Sequence, residues 1–282
     1  MNKRHKMTLP EIIENRDLFL QNYDLTDKFR RSGYNWDDII AIATQFDADR
    51  TKKYPKLIQE YISQISQFDA IHSYRYRIKE TDSFIKKIIT KSCEKSKKVT
   101  LDDYRTTITD LLGIRVLYVF KEDYYTVHQQ IMAKYKAQMV ENVHIKLQTG
   151  DDESIYENIL NCDPIIERNN IYRSIHYTLC AEKRNMDGVR LEIQTRTIFE
   201  EGWSEINHKL VYKNQSISDY FVLLQASKIL STLVGNCDNL GMLMRKIYDE
   251  YEKRMSASNS HSDVDKPGSE VMQEVLNEFL LK

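Results

Sequence analysis

The segment Arg77-Ile-Lys79-Glu-Thr-Asp-Ser83-Phe-Ile-Lys86-Lys87 is rich in cations. Lys79, Ser83 and Lys87 are spaced i, i+4, i+8, so a helix would set them on one face with Arg77 just ahead. Such a cluster can hold a polyphosphate by charge-assisted bonds, although the same spacing suits a solvated basic face. Asp110-Leu-Leu-Gly113-Ile-Arg115 places an acid at the entry to an apolar run. Mg²⁺ binds through one or two carboxylates plus substrate phosphates, which makes Asp110 a candidate ligand. In Arg190-Leu-Glu192-Ile-Gln194-Thr-Arg196 the alternation of a strand points Arg190, Glu192, Gln194 and Arg196 one way. Glu192, mid-row, is the candidate for a second metal ligand or a general base. Tyr172 leads into Arg173-Ser-Ile-His176 and offers a ring on which a nucleobase could stack. On a helix, His208 pairs with Tyr212 and Lys209 with Lys213, one pair facing the site and the other supporting it.

The elements that must carry these residues can be read from periodicity. Pro10 to about Phe68 is helical, with Leu57, Ile58, Tyr61, Ile62 and Ile65 at helical spacing. Ile71 to Lys79 is a short strand or extended lead, and Thr81-Asp82-Ser83 offers N-cap chemistry to a helix through about Cys93. A charged linker, Glu94 to Lys98, follows. Gly113 to Phe120 is a buried strand, Glu122 to Tyr135 a helix, and Gln138 to Leu147 a weakly alternating strand. Asp151 to Asn170 is polar and irregular, a loop with a helical turn. Ser174–Glu182 and Gly188–Arg196 are two strands joined near Asn185-Met-Asp-Gly188. Helices are expected over Ile198–Lys213 and Ser218–Met255, the latter broken near Gly235. Residues 256–269 are a flexible linker, and Val271 to Leu281 a last amphipathic helix. This gives an N-terminal helical region (1–70), a mixed α/β unit (71–213), C-terminal helices (214–256) and a tail (257–282).

Composition narrows the field. The chain has 282 residues, 41% hydrophobic, with 41 basic and 42 acidic residues for a net charge of −1. A strongly basic nucleic-acid binder is not the first expectation. Cys93, Cys162, Cys180 and Cys237 form no CxxC pair, so reduced thiols and a cytoplasmic setting are expected. There is no apolar run long enough to span a membrane. GxxxxGK[ST], HExxH and an adjacent His-Asp pair are all missing, and glycines number only 8. Phosphate must then be gripped by side chains.

RIKETDSFIKK, DLLGIRV, YRSIHYTL, LEIQTRT and WSEINHKLVYK, in that order, closely resemble the synthetase domain of the RelA/SpoT family over roughly Tyr74 to Lys213. The resemblance implies an α+β fold, a mixed β-sheet with flanking helices like that of the nucleotidyltransferases. It implies a small, stand-alone enzyme that moves the β,γ-pyrophosphate of ATP to the 3′-hydroxyl of GDP or GTP, making (p)ppGpp. By motif, Arg77, Lys79, Ser83, Lys87 and Arg115 would bind ATP. Asp110 would hold Mg²⁺, and Glu192 would assist the metal and activate the acceptor. Tyr172 would stack on guanine, with His176, Gln194, Arg196, His208 and Lys209 lining the site. Alarmone-making members usually carry glycine before that tyrosine. Here it is Ile171, and the preceding Ile166-Glu-Arg168-Asn-Asn lacks the lysine-rich approach, with Arg168 as a substitute. The departure leaves the acceptor open between guanine nucleotides and, as in toxic relatives, the tRNA 3′ end, in which case an antitoxin is an expected partner. A third reading is an inactive nucleotide-binding regulatory module. Val222, Leu223, Leu224, Ile229, Leu230, Leu233 and Val234 give an apolar stripe that packs on the chain's own core or joins copies into a homo-oligomer.

Overall fold

The helical stretch before residue 70 resolves into α1 (Leu9–Glu14), α2 (Arg16–Asn22), α3 (Thr26–Ser32), α4 (Trp36–Lys52) and α5 (Tyr54–Ile65). Then come β1 (Ser73–Ile78), α6 (Thr81–Lys95), α7 (Tyr104–Thr107), β2 (Leu112–Tyr118), α8 (Asp123–Tyr135), β3 (His144–Gln148), β4 (Ile165–Asn169), β5 (Ser174–Ala181), β6 (Val189–Thr197), α9 (Ile198–Leu210) and α10 (Tyr220–Ser258). This computed structural model describes residues 6–95, 98–148, 151, 153–154, 156, 159, 163–169, 172–181, 188–211, 220–258, 269–270, 272–273 and 276–277. Several expectations lie wholly or partly outside these residues. They concern Ser96-Lys97, Cys162, the turn at 185–187, Ile171, Tyr212, Lys213, the linker and most of the terminal helix.

The six strands pair in the order β1-β2-β6-β5-β3-β4. β2 lies parallel to β6 and β3 to β4, while the other pairs are antiparallel, so the sheet is mixed. Alternation gives it two unlike faces. Ile114, Val116, Ile145, Ile175, Tyr177, Leu191 and Ile193 are buried on one. Val127 and Ile131 of α8 share that core, and a His128 ring nitrogen lies 3.0 Å from the Tyr177 hydroxyl. Each such apolar side chain contributes about 1.5–3 kcal/mol on burial. The other face carries the polar residues singled out by type and spacing.

Two buttresses fix that polar face. Behind α6, Phe84 stacks on Phe46 of α4 with ring centroids 4.0 Å apart. Buried Asp49 accepts from the Tyr104 hydroxyl at 2.6 Å and from Arg105 Nε at 3.0 Å, with Lys53 Nζ at 2.8 Å. Burial disfavours its charge, yet Lys53, Tyr104 and Arg105 hold the Asp49 carboxyl below the usual range. At the other end Thr197 caps α9, accepting from Glu200 N at 3.1 Å while Glu200 Oε2 accepts from Thr197 N at 3.0 Å.

Four differences from the sequence reading have physical causes. The stretch 151–170 contains β4, a polar edge strand whose partner on one side is β3. Edge strands need no apolar alternation, so pattern gave no sign of it. β3 begins at His144, later than expected, because a 3₁₀ turn at Lys136–Gln138 ends α8. Helix α10 runs unbroken through Gly235. A Cβ there would lie 2.9 Å from the Arg173 guanidinium, so the glycine marks a close approach and no break. The helix of α6 also starts at Thr81 itself, whose hydroxyl donates to Asp47 Oδ1 at 2.5 Å, so it serves as a tie to α4.

Candidate functional site

Strand register gathers the polar residues into rows. Arg77 on β1 lies opposite Gly113, which neighbours Glu192, itself opposite Thr178. One step along, Arg75 lies opposite Arg115, Arg115 beside Gln194, Gln194 opposite His176 and His176 opposite His144. Helix α9 crosses above the first three strands with Ser204, Glu205 and His208 turned toward them. Between them is a cavity of about 290 Å³ lined also by Arg75, Arg77, Arg115, Glu192 and Gln194. Gly113 makes room at its floor: a Cβ there would meet Arg77 Cγ and Nε at 3.3 Å.

Asp110, just before β2, sits under converging cations. Lys79 Nζ donates to its Oδ2 at 2.6 Å and Arg77 approaches at 3.6 Å. Burial alone would raise the Asp110 carboxyl, but Lys79, Lys87 and Arg77 hold it below its ordinary value. Burial also pushes Lys79 down, against the pull of Asp110. The Lys79 backbone is tied by its N–H to Leu111 O at 2.9 Å and by Arg50 Nε to its carbonyl at 3.0 Å. Ser83 and Lys87 follow exposed on the next turns of α6. Asp110 Oδ1 is buried and, among the described residues, accepts no hydrogen bond. Among the described residues no three His, Cys, Asp or Glu side chains cluster as a metal centre. A cation that takes one or two carboxylate oxygens and completes its shell with phosphate and water, as Mg²⁺ does, fits this donor set.

Further along, Glu192 accepts from Gln194 Nε2 at 2.8 Å and has His176 Nδ1 at 2.9 Å. Burial acts to raise it, and His176 and Gln194 bring it below its ordinary value. Burial pushes the His176 ring below its ordinary value, against the pull of Glu192. Tyr172 is half-buried, its ring 6.3 Å from that of His176 and 5.4 Å from Lys146 Nζ.

Three expected site residues are placed elsewhere. Arg168 lies opposite Leu147, on the core-side row of the β3–β4 pair, and binds Glu153, so it turns away from Tyr172. The undetected strand explains this: alternation turns Glu167, bonded to His144 at 2.6 Å, toward the polar face instead. Arg196 is 3% exposed and stands behind the cavity wall, donating to Gln194 Oε1 at 2.8 Å. Lys209 is exposed, one residue round the helix from the cavity-lining His208.

Other residues were missed. Glu201 and Glu205 on α9 accept from Arg115 NH1 at 2.7 and 3.2 Å, and Arg75 comes within 3.6 Å of Glu201. The alternation Arg75-x-Arg77-x-Lys79 and the i, i+4, i+7 spacing of Glu201, Glu205 and His208 could have signalled both. Lys146 had no such signal, since only the β3–β5 register brings it near Tyr172 and Ser174.

Fold and site together define an α+β protein with a mixed sheet, whose cationic cavity is built from side chains on strands and one crossing helix. The chain belongs to the RelA/SpoT family: the family's model, for a region found in RelA/SpoT proteins, matches residues 76–217. It is 26% identical over 164 residues to GTP pyrophosphokinase YwaC of Bacillus subtilis (strain 168), covering 57% of this chain and 67% of that one. Similar solved structures include small alarmone synthetase 1 from Bacillus subtilis, at 20% identity and TM-score 0.45 over 76% of this chain and 98% of that one. A GTP pyrophosphokinase family protein from Streptococcus pneumoniae matches at 20% identity and TM-score 0.47 over 78% and 95%.

Proposed function

We propose that this chain transfers the β,γ-pyrophosphate of ATP to the 3′-hydroxyl of GDP or GTP. The observation that carries the reading is the convergence of Lys79, Arg77 and Lys87 on Asp110, whose Oδ1 is buried with no hydrogen-bond partner among the described residues. Family membership and a relative named as a GTP pyrophosphokinase support it.

Pyrophosphoryl transfer needs in-line placement and neutralised charge more than covalent help from protein. Arg77, Lys79, Ser83 and Lys87 grip the donor's phosphates, and Arg115 lines the same cavity as Arg77. Asp110, with Glu192 nearby, would hold Mg²⁺, which would supply charge neutralisation on the phosphates. Glu192 accepts the proton of the attacking hydroxyl. Tyr172 stacks on the acceptor base, with Lys146 beside it. The outward residues of α10, Val222, Ile229, Leu233, Leu240 and Met244, form an apolar stripe for self-association.

The deciding experiment offers the purified chain Mg²⁺ and ATP labelled in the γ-phosphate, with GDP, GTP and tRNA together. Label in a guanosine tetra- or pentaphosphate is the expected result. Label on tRNA alone would move the acceptor to the tRNA 3′ end, and no transfer to any of them would overturn the reading.

A further inference from the structure

Glu192 lies between two hydrogen-bonded chains whose donor directions are fixed at their ends. On one side Arg196 can only donate, so Gln194 Oε1 must accept from it at 2.8 Å. The amide orientation of Gln194 is thereby set, and its Nε2 donates to Glu192 Oε2 at 2.8 Å. On the other side an ionised carboxylate can only accept, so His176 Nδ1, at 2.9 Å from Glu192 Oε1, carries the ring proton. In the neutral ring His176 Nε2 is then the bare nitrogen, and the Ser174 hydroxyl at 2.5 Å donates to it. Ser174 and His176 are two apart on β5, so both side chains sit on the polar face, and His176 pairs with Gln194 across the strands. His176 is 8% exposed and both its ring nitrogens are engaged. It has no nitrogen left to address a substrate.

We infer that Ser174 and His176 are positioning residues for Glu192, with Gln194 and Arg196 as the matching brace on its second oxygen. The inference rests on the proposed reading of Glu192 as the group that meets the acceptor hydroxyl. Each carboxylate oxygen takes one N–H from the protein and keeps a lone pair, and Glu192 still lines the cavity. Two braces, one on each oxygen, hold a carboxylate plane that one would let rotate. This departs from an acceptor-binding role for His176. Its effect belongs on turnover, through the aim of Glu192, and not on acceptor affinity.

The test has two arms on the full chain. In steady-state assays, His176→Ala should lower kcat by about 100-fold, in the range typical of a displaced general base, with the acceptor KM unchanged. His176→Asn, which restores an N–H near the Nδ1 position, should recover most of the loss. A raised acceptor KM with kcat kept would overturn the inference, since His176 would then touch the acceptor. Independently of activity, long-range ¹H–¹⁵N spectra of the histidine rings should show His176 protonated at Nδ1, and Ser174→Ala should relax that preference. An Nε2-protonated ring in the folded wild type would also overturn it. If the wild type transfers no pyrophosphate, the proposed function fails while the ring spectra still decide the arrangement.

Discussion

Asp110 faces more positive charge than it can neutralise, with Lys79 bonded to it and Arg77 and Lys87 within electrostatic reach. That surplus cation count is what a polyphosphate would complete. Asp110→Asn should reduce transfer by at least about 100-fold, the scale on which one preorganised electrostatic group acts. It also leaves Lys79 buried without its counter-charge, and removing one partner of a buried pair costs about 3–5 kcal/mol. Urea unfolding beside initial rates separates the two effects: a variant with normal rates would remove Asp110 from the chemistry. Gly113→Ala tests space alone. The added methyl crowds Arg77, which is mostly exposed and can move aside. Stability should stay within about 1 kcal/mol, while the KM for ATP rises severalfold. Equal ATP affinity in the variant would show that Arg77 need not lie across the strand.

At the scale of elements, α10 is tied to the sheet through Arg173, the residue after Tyr172. Arg173 donates to Asp151 at 2.6 and 2.7 Å, to Gln148 at 2.7 Å and to the Ser231 carbonyl at 3.0 Å. Gly235→Ala should raise intrinsic helix propensity by about 1 kcal/mol yet destabilise the protein by about 1–3 kcal/mol net, because this guanidinium has nowhere to retreat. A higher Tm in the variant would contradict the close approach. A second tie is Asp238, which accepts from the Thr197 hydroxyl at 3.0 Å. Burial first, and then the charge of Glu200, push its carboxyl up to about 7, against Thr197, Lys121 and Arg173. The folded state thus holds this proton more tightly than the unfolded chain does. Its stabilising contribution is complete below the ordinary aspartate range and is lost as pH rises toward and through 7. Asp238→Asn should therefore gain stability relative to wild type between pH 5 and pH 8, read from denaturant midpoints. A constant difference across that window would place the proton elsewhere.

For the whole molecule, α10 has 39 residues, roughly 58 Å of helix at 1.5 Å per residue. Leu223, Leu224, Leu230 and Val234 are partly buried, whereas Val222, Ile229, Leu233, Leu240 and Met244 are exposed. The stripe read from sequence is therefore two faces, one packed inward and one outward. Ile229→Asp with Leu240→Asp should convert an oligomer to monomers in sedimentation equilibrium without changing helical content. A monomeric wild type at micromolar concentration would end the idea of self-association. Among the described residues no helix is long and apolar enough to cross a membrane.

The sequence by itself determined most of the elements and a set of candidate residues, because side-chain period and residue type are local properties. Arg77, Lys79, Asp110, Arg115 and Glu192 are selected by the order of motifs that resembles the RelA/SpoT synthetase domain, since spacing alone suits ordinary surface faces equally well, and the structure brings them near one another. What tertiary structure alone decided was which side chains share a partner. Lys146 meets Tyr172, Glu201 and Glu205 hold Arg115, and Arg173 fills the space that Gly235 leaves, all across pairings of strands and helices distant in sequence. Arg168 was misplaced for the same reason: its direction depends on β4, an edge strand too polar to leave a periodic trace. Register is long-range information. A shift of one residue reverses every side chain on a strand, and no local pattern in a polar segment can fix it.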